Sequence, residues 1–422
     1  MIVHDPLYGR FELPVVSRTL IRSPEFRRLS EVRLLNCISP TLATLGEIKR
    51  YSHTLGVIHL TSIWSKLSER KHKEPELRAL EAATLLHDVG TPPFGHLFEY
   101  ILREKSGWHH EAIVNKILRG HHAPESTANQ FFAGRTPEVY GLLHECNVDF
   151  NLLTQILDGS HPLSRLLFGS IDFDNLDNVA RMAWALGIPG GATIAKDLAS
   201  SLSITPTGQL SLCRSKRKAV VEWLALRRSV YEVLISDWPT VSAQAILTRA
   251  ILLALKAGAL EEHNWSMTDE ELLSTLRSCR QSKDLVNTEY LGALPTGVIL
   301  LHLSTPMEAF TAGSSYDVVT RIEQAAVEAG IARPLGFVLK DKGMLQKRLT
   351  FVDEDGEAWT EGETTVGTYL YVFSRSQGKA KPKAIEKLVG HLSQAVGFDL
   401  GNIIRVVENF GTADTEAQGR LV

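Results

Sequence analysis

The sequence predicts a mainly α-helical protein with a C-terminal α+β module. Over most of the first 285 residues, apolar side chains recur at helical spacing. Beyond Asn287 the pattern changes to GVILLHL, GFVLK, RLTFV and YLYVFSR, short runs rich in β-branched and aromatic residues that read as strands. Two helical stretches, about 315–329 and 381–396, interleave with those strands.

A chain of 422 residues exceeds one compact core. We expect a core over 1–200, a helical extension over 201–285, and an α+β module over 286–422 that serves oligomer contacts or partner docking. A net charge of −3 gives no general attraction to nucleic acid or anionic lipid. Cys37, Cys146, Cys213 and Cys279 form no CxxC pair, which argues against a zinc ribbon or a disulfide framework. The N-terminal MIVHDPLYGRFEL is charged within five residues and no apolar run approaches a membrane span, so a cytoplasmic protein without membrane contact is expected.

In chain order, IVHDPLYGRFELP reads as strand and turn. RYSHTLGVIHLTSIWSKLS then spaces His53, Val57, Leu60 and Trp64 one turn apart, an amphipathic helix with His53 on its core stripe. His59 lies off that stripe and reads as structural. The stretch 81–99, EAATLLHDVGTPPFGHLFE, opens as a buried helix and delivers His87 and Asp88 where Gly90 and Pro92 end it. Helices follow at about 108–119 and 137–158. In SIDFDNLDNVAR, Asp172, Asp174 and Asp177 sit among apolar residues, where three carboxylates need a cation or basic partner nearby. Arg181, four residues after Asp177, supplies one such partner. The long periodic runs at 216–234 and 242–260 complete the helical part, and DEDG before EAW signals a hairpin turn.

Lone His–Asp dipeptides are common, but His53, His87, Asp88 and Asp174 together make a mixed nitrogen and oxygen set. Such a set suits a divalent ion: Mn, Mg, Fe, Co, Ni or Zn. Helices of a bundle can bring it together in their core. His96 and Glu99 stand three residues apart and can face each other on a helix.

These stretches resemble the HD-domain metal-dependent phosphohydrolase superfamily, and within it the deoxynucleotide triphosphohydrolase branch. VHDPLYGRFEL, KRYSHTLGV, HDVGTPPFGHLFE and SIDFDNLDNVAR carry the likeness over roughly residues 1–255. The resemblance implies a helical HD-domain core with His53, His87, Asp88 and Asp174 as metal ligands. It implies His96 and Glu99 as a catalytic dyad, His110 near the phosphates, and Arg50, with Arg181 and Arg227, gripping a nucleotide substrate. Thr91, Leu34 and Asn178 depart from the branch's pattern and put its deoxynucleotide preference in question. A phosphodiesterase or nuclease on oligonucleotide ends, and a weakly catalytic regulatory subunit, are the alternatives. The basic clusters at 214–218 and 379–387 offer a contact for single-stranded nucleic acid, but lack the interleaved aromatics of a stacking groove.

Overall fold

The computed structural model describes residues 1–68, 72–119, 131, 139–304, 315–376, 379–396 and 403–408. The chain opens as a hairpin, Ile2–Asp5 antiparallel to Gly9–Glu12. Asp5 closes its turn by accepting the Leu7 and Tyr8 amides at 2.9 Å, as a short carboxylate in a turn does.

Five helices position the site: α1 (Arg50–Ser68), α2 (Glu74–Leu86), α3 (His96–Ser106), α4 (Phe173–Ala185) and α5 (Arg217–Ser236). The stripe of α1 is buried at His53, Val57, Leu60 and Trp64, and it packs on α2 and α4. Gly56 is what allows α4 so close. A methyl group there would run into the Asp177 carboxylate and the Arg181 guanidinium. Helix α2 starts with Pro75 in its first turn and Glu76 accepting the Lys73 amide at 2.8 Å. It ends at Leu86, so His87 and Asp88 fall in the turn that follows.

The helix expected over 137–158 is two helices among the described residues, Val139–Glu145 and Phe150–Leu157. Asn147 takes φ of 51°, which asparagine tolerates, and Asp149 caps the second helix through the Asn151 and Leu152 amides.

The C-terminal strands form an antiparallel four-stranded sheet in the order Ile403–Glu408, Thr296–Leu303, Val366–Ser374, Pro334–Lys342. Leu370 and Val372 face helices Ser315–Glu328 and Pro382–Val396 in a local core. Tyr369, Tyr371 and Phe373 face the main helical core. Both sheet faces are therefore covered, and this is why GVILLHL and YLYVFS read as unbroken apolar runs.

The module is tied to the helices at its start: Leu285–Tyr290 is a π-helical turn with Val286 fully buried, and the Tyr290 hydroxyl accepts the Ile38 amide at 2.8 Å. Tyr371 donates to the Ile235 carbonyl at 2.9 Å, which fastens the sheet to α5. Helix Trp238–Lys256 meets the length and composition of a membrane span, contrary to the sequence reading, yet its Val241, Ile246, Ala250 and Ile251 lie in the core.

His59 stacks on Phe11, with ring centroids 4.3 Å apart, and lies 5.1 Å from Tyr8. Burial, then Lys196, pushes its imidazole down to about 4. The unfolded chain therefore binds this proton more readily than the folded one, and His59 withdraws stability as pH falls from about 6.5 to about 4. Thermal unfolding of wild type and His59→Gln across pH 7.5 to 4.5 should show a shallower acid-side decline in the variant. Parallel profiles would refute this.

Candidate metal centre

Four side chains from three segments converge at the C-terminal end of α2. His53 comes from the first turn of α1, His87 and Asp88 from the turn after α2, and Asp174 from the first turn of α4. One ligand atom from each of His53, His87 and Asp88 lies within 4.8 Å of the others. Asp174 Oδ1 is 2.8 Å from His53 Nε2 and 3.5 Å from His87 Nε2. The first three side chains are almost wholly buried, while Asp174 is 34% exposed, so the centre opens on the α4 side.

Each imidazole is aimed by its other nitrogen. His53 Nδ1 is 2.7 Å from Asp177 Oδ2, and His87 Nδ1 is 2.7 Å from the Thr84 carbonyl oxygen. A carboxylate or carbonyl on Nδ1 fixes the tautomer that leaves Nε2 as the ligand atom. Asp177 is itself gripped twice by Arg181, at 2.9 Å on each oxygen, and Arg181 also holds Asp5 at 2.9 Å. Asp88 is held on both oxygens, by Arg50 Nη1 at 2.8 Å and by the Thr91 hydroxyl at 2.9 Å.

The electrostatics describe a site rich in negative charge. Burial opposes ionisation of Asp88 and Asp174, but Arg50 overcomes it at Asp88 and the two histidines at Asp174. Both carboxyls lie below the ordinary range. Burial also opposes charge on His53, yet its hydrogen bonds to Asp174 and Asp177 push the imidazole up to about 9. Asp172, buried beside Asp174, is pushed up to about 7 by burial and then by its neighbour's charge.

Two observations show that the residues fit a divalent ion. His87 Nε2 is buried with no hydrogen-bond partner, and its distance of 3.5 Å from Asp174 is too long for a bond to a well-aimed nitrogen. Two imidazoles and a carboxylate with ligand atoms within 4.8 Å of one another form the donor set of a mixed N/O metal site.

Beside this centre lies a second cluster built on Glu99, which is 1% exposed on α3. Its Oε2 meets His96 Nδ1 at 2.9 Å; its Oε1 meets His110 Nδ1 at 3.0 Å and Arg103 at 2.6 Å. Burial works against the Glu99 charge, but His110 and His96 hold the carboxyl well below its usual range. The same hydrogen bond raises His110 against the effect of burial. Gly90 lies against the His110 backbone, with no room for a methyl group, and so locks the His87–Asp88 turn to this cluster.

The three arginines expected to grip phosphate are each engaged within the protein. Arg50 is 4% exposed and bound to Asp88, and Arg181 is 1% exposed and bound to Asp177 and Asp5. Both forks serve carboxylates that orient the centre, because a buried guanidinium must be paired. Arg227 is 6% exposed, lies 4.5 Å over the Tyr231 ring and donates to the Met344 carbonyl. The sequence reading also missed Thr91 and Thr84 as orienting groups. A threonine three residues after a carboxylate at a helix end was the available signal for Thr91.

Residues 50–145 match the family model of the HD domain. The chain carries an HD domain. It is 25% identical over 205 residues to the deoxynucleoside triphosphate triphosphohydrolase SAMHD1 homolog of Dictyostelium discoideum, covering 44% of this chain and 36% of that protein. It is 27% identical over 160 residues to human SAMHD1, covering 35% and 24%. The chain thus spans about a quarter to a third of these relatives. A solved phosphohydrolase of Bacteroides thetaiotaomicron shares the fold at TM-score 0.61 and 18% identity, covering 89% of this chain and 100% of that one. A hypothetical protein of Aquifex aeolicus does so at TM-score 0.64 and 19% identity, covering 93% and 99%.

Proposed function

We propose that this protein is a metal-dependent phosphohydrolase acting on nucleotides, and within that class a (d)NTP triphosphohydrolase. The observation that carries the reading is the convergence of His53, His87 and Asp88 ligand atoms beside the His96–Glu99–His110 cluster. His53, His87, Asp88 and Asp174 are the residues that would hold the ion. A divalent ion bound there neutralises phosphate charge and acidifies a water.

The chain's own residues divide the remaining work. Glu99, kept ionised, fixes His96 by Nδ1, and His96 then presents Nε2 as the atom that gives or takes a proton. His96 is 48% exposed, so that nitrogen can reach a substrate. His110, biased toward its charged form by Glu99, favours an anionic phosphate nearby. Arg50 and Thr91 keep Asp88 ionised and aimed. The likeness to SAMHD1 proteins supports the mononucleotide choice over an oligonucleotide end.

Incubation of purified protein and Mn²⁺, Mg²⁺ or Co²⁺ with each NTP, each dNTP and short oligonucleotides tests this. Nucleoside and inorganic triphosphate should appear from a mononucleotide. Shortened oligonucleotides with intact mononucleotides would replace this reading with a nuclease.

A further inference from the structure

The turn between the metal centre and the Glu99 cluster carries an unfavourable backbone. Phe94 takes φ of 52°, in the left-handed region, and Gly95 follows at 56°. Glycine adopts such a backbone freely, but a Cβ makes it costly, so the fully buried Phe94 must be held there by its surroundings. Hydrogen bonds join this turn to both clusters. On one side the Asp88 carbonyl accepts the Thr91 amide and the Pro92 carbonyl accepts the Gly95 amide, each at 2.9 Å. On the other, the Phe94 carbonyl accepts the Leu97 amide at 3.3 Å and the Gly95 carbonyl the Glu99 amide at 3.2 Å. The turn therefore sets where α3 begins, and with it where His96 and Glu99 lie relative to Asp88.

What holds Phe94 comes from 175 residues further along the chain. Asp269 is fully buried at the start of helix Asp269–Ser278, whose entry is fixed by reciprocal bonds between Thr268 and Glu271. Its Oδ1 accepts the Phe94 amide at 2.8 Å. Its Oδ2 accepts the Arg33 amide at 2.9 Å and meets Arg33 Nη1 at 3.3 Å. A second clamp lies beside it: the fully buried Arg28 donates to the Val89 and Thr91 carbonyls and, at 2.9 Å, to the Met267 carbonyl. Residues 267–269 thus grip the connection from Asp88 to His96 from outside residues 50–145, which match the HD domain. Arg33 also pairs with Glu47 and Glu270 and donates to the Gly46 carbonyl, and none of these belongs to the turn.

We propose that Asp269 is a positioning residue for the His96–Glu99 dyad: by holding the Phe94 amide it keeps the turn left-handed and sets the reach of His96 from the metal centre. This rests on the nucleotide phosphohydrolase reading above. Asp269 acts through the backbone of residues 94–96 and not on the substrate itself. Arg33 anchors Asp269 and so contributes stability, while the Asp269–Phe94 bond contributes geometry. A proton-transfer group is sensitive to such geometry, because reacting atoms must be brought close and aligned.

The test compares wild type, Asp269→Ala, Asp269→Asn and Arg33→Gln in the full chain. It uses steady-state kinetics on the nucleotide that wild type hydrolyses, metal analysis, thermal unfolding and a crystal structure of Asp269→Ala. Asp269→Ala should lose about 10- to 100-fold in kcat, the scale of a reacting group misplaced by about 1 Å, with KM and metal content near wild type. Its crystal structure should show Phe94 outside the left-handed region and His96 displaced. Asp269→Asn keeps an oxygen for the Phe94 amide and should recover most of kcat. Arg33→Gln leaves that bond in place, so it should lower the unfolding midpoint without the loss in kcat. A folded Asp269→Ala with wild-type kcat, or an equal loss in Arg33→Gln, overturns the positioning role and leaves the phosphohydrolase reading standing. Failure of both Asp269→Ala and the bulkier Asp269→Leu to fold makes Asp269 a folding residue and overturns the role as well. A wild type that hydrolyses no nucleotide overturns both.

Discussion

Replacing His87 by glutamine is expected to reduce turnover to background and to strip bound divalent metal from a folded protein. His87 Nε2 makes no hydrogen bond in the protein, and Asp174, 3.5 Å from it, keeps His53 at 2.8 Å, so its replacement strands no paired charge. Asp88→Ala is a harsher change. Asp88 shares a buried pair with Arg50 at 2.8 Å, with side-chain exposures of 7% and 5%. Removing one partner of such a pair costs about 3–5 kcal/mol, because the remaining charge is stranded. The two variants should therefore agree in lost metal and turnover and differ in stability. His87→Gln should unfold close to the wild-type temperature, and Asp88→Ala well below it. Metal analysis with thermal unfolding checks this. A metal-replete, active His87→Gln protein would remove His87 from the centre.

The second large effect is expected at His96. His96→Ala should lower kcat by about 10²- to 10⁴-fold, the range for a positioned proton-transfer residue. Metal content should stay at the wild-type level, because among the described residues His96 is bonded to Glu99 and to no metal-centre residue. Glu99→Gln should fall in the same direction. It also removes the charge that Arg103 and His110 share, so some loss of stability is expected with it. Parallel loss of metal and activity in His96→Ala would make His96 a ligand instead.

Part of this was open to sequence reasoning because its signals are local. Helical spacing on α1 put His53 on the buried stripe, and the i, i+4 separation of Asp177 and Arg181 announced their pair, now seen as two bonds of 2.9 Å. The i, i+3 spacing of His96 and Glu99 likewise put them on one face, where they meet at 2.9 Å. The remainder depended on tertiary structure. That Arg50 is spent on Asp88 follows from where α1 meets the turn after α2, and no spacing encodes that. The α+β module looked separate because its pattern changes abruptly near Asn287. Its sheet nevertheless buries Tyr371 and Phe373 in the helical core. The unbroken apolar runs of its strands were the available sign that both faces would be covered.

The most direct test of the whole account is titration of the metal-free chain with Mn²⁺, followed by calorimetry and by elemental analysis after gel filtration. The account predicts a site formed by His53, His87, Asp88 and Asp174 that holds metal in wild type and is lost in both His53→Ala and His87→Gln. Undiminished metal binding in those two variants, or none in the wild type, would contradict it.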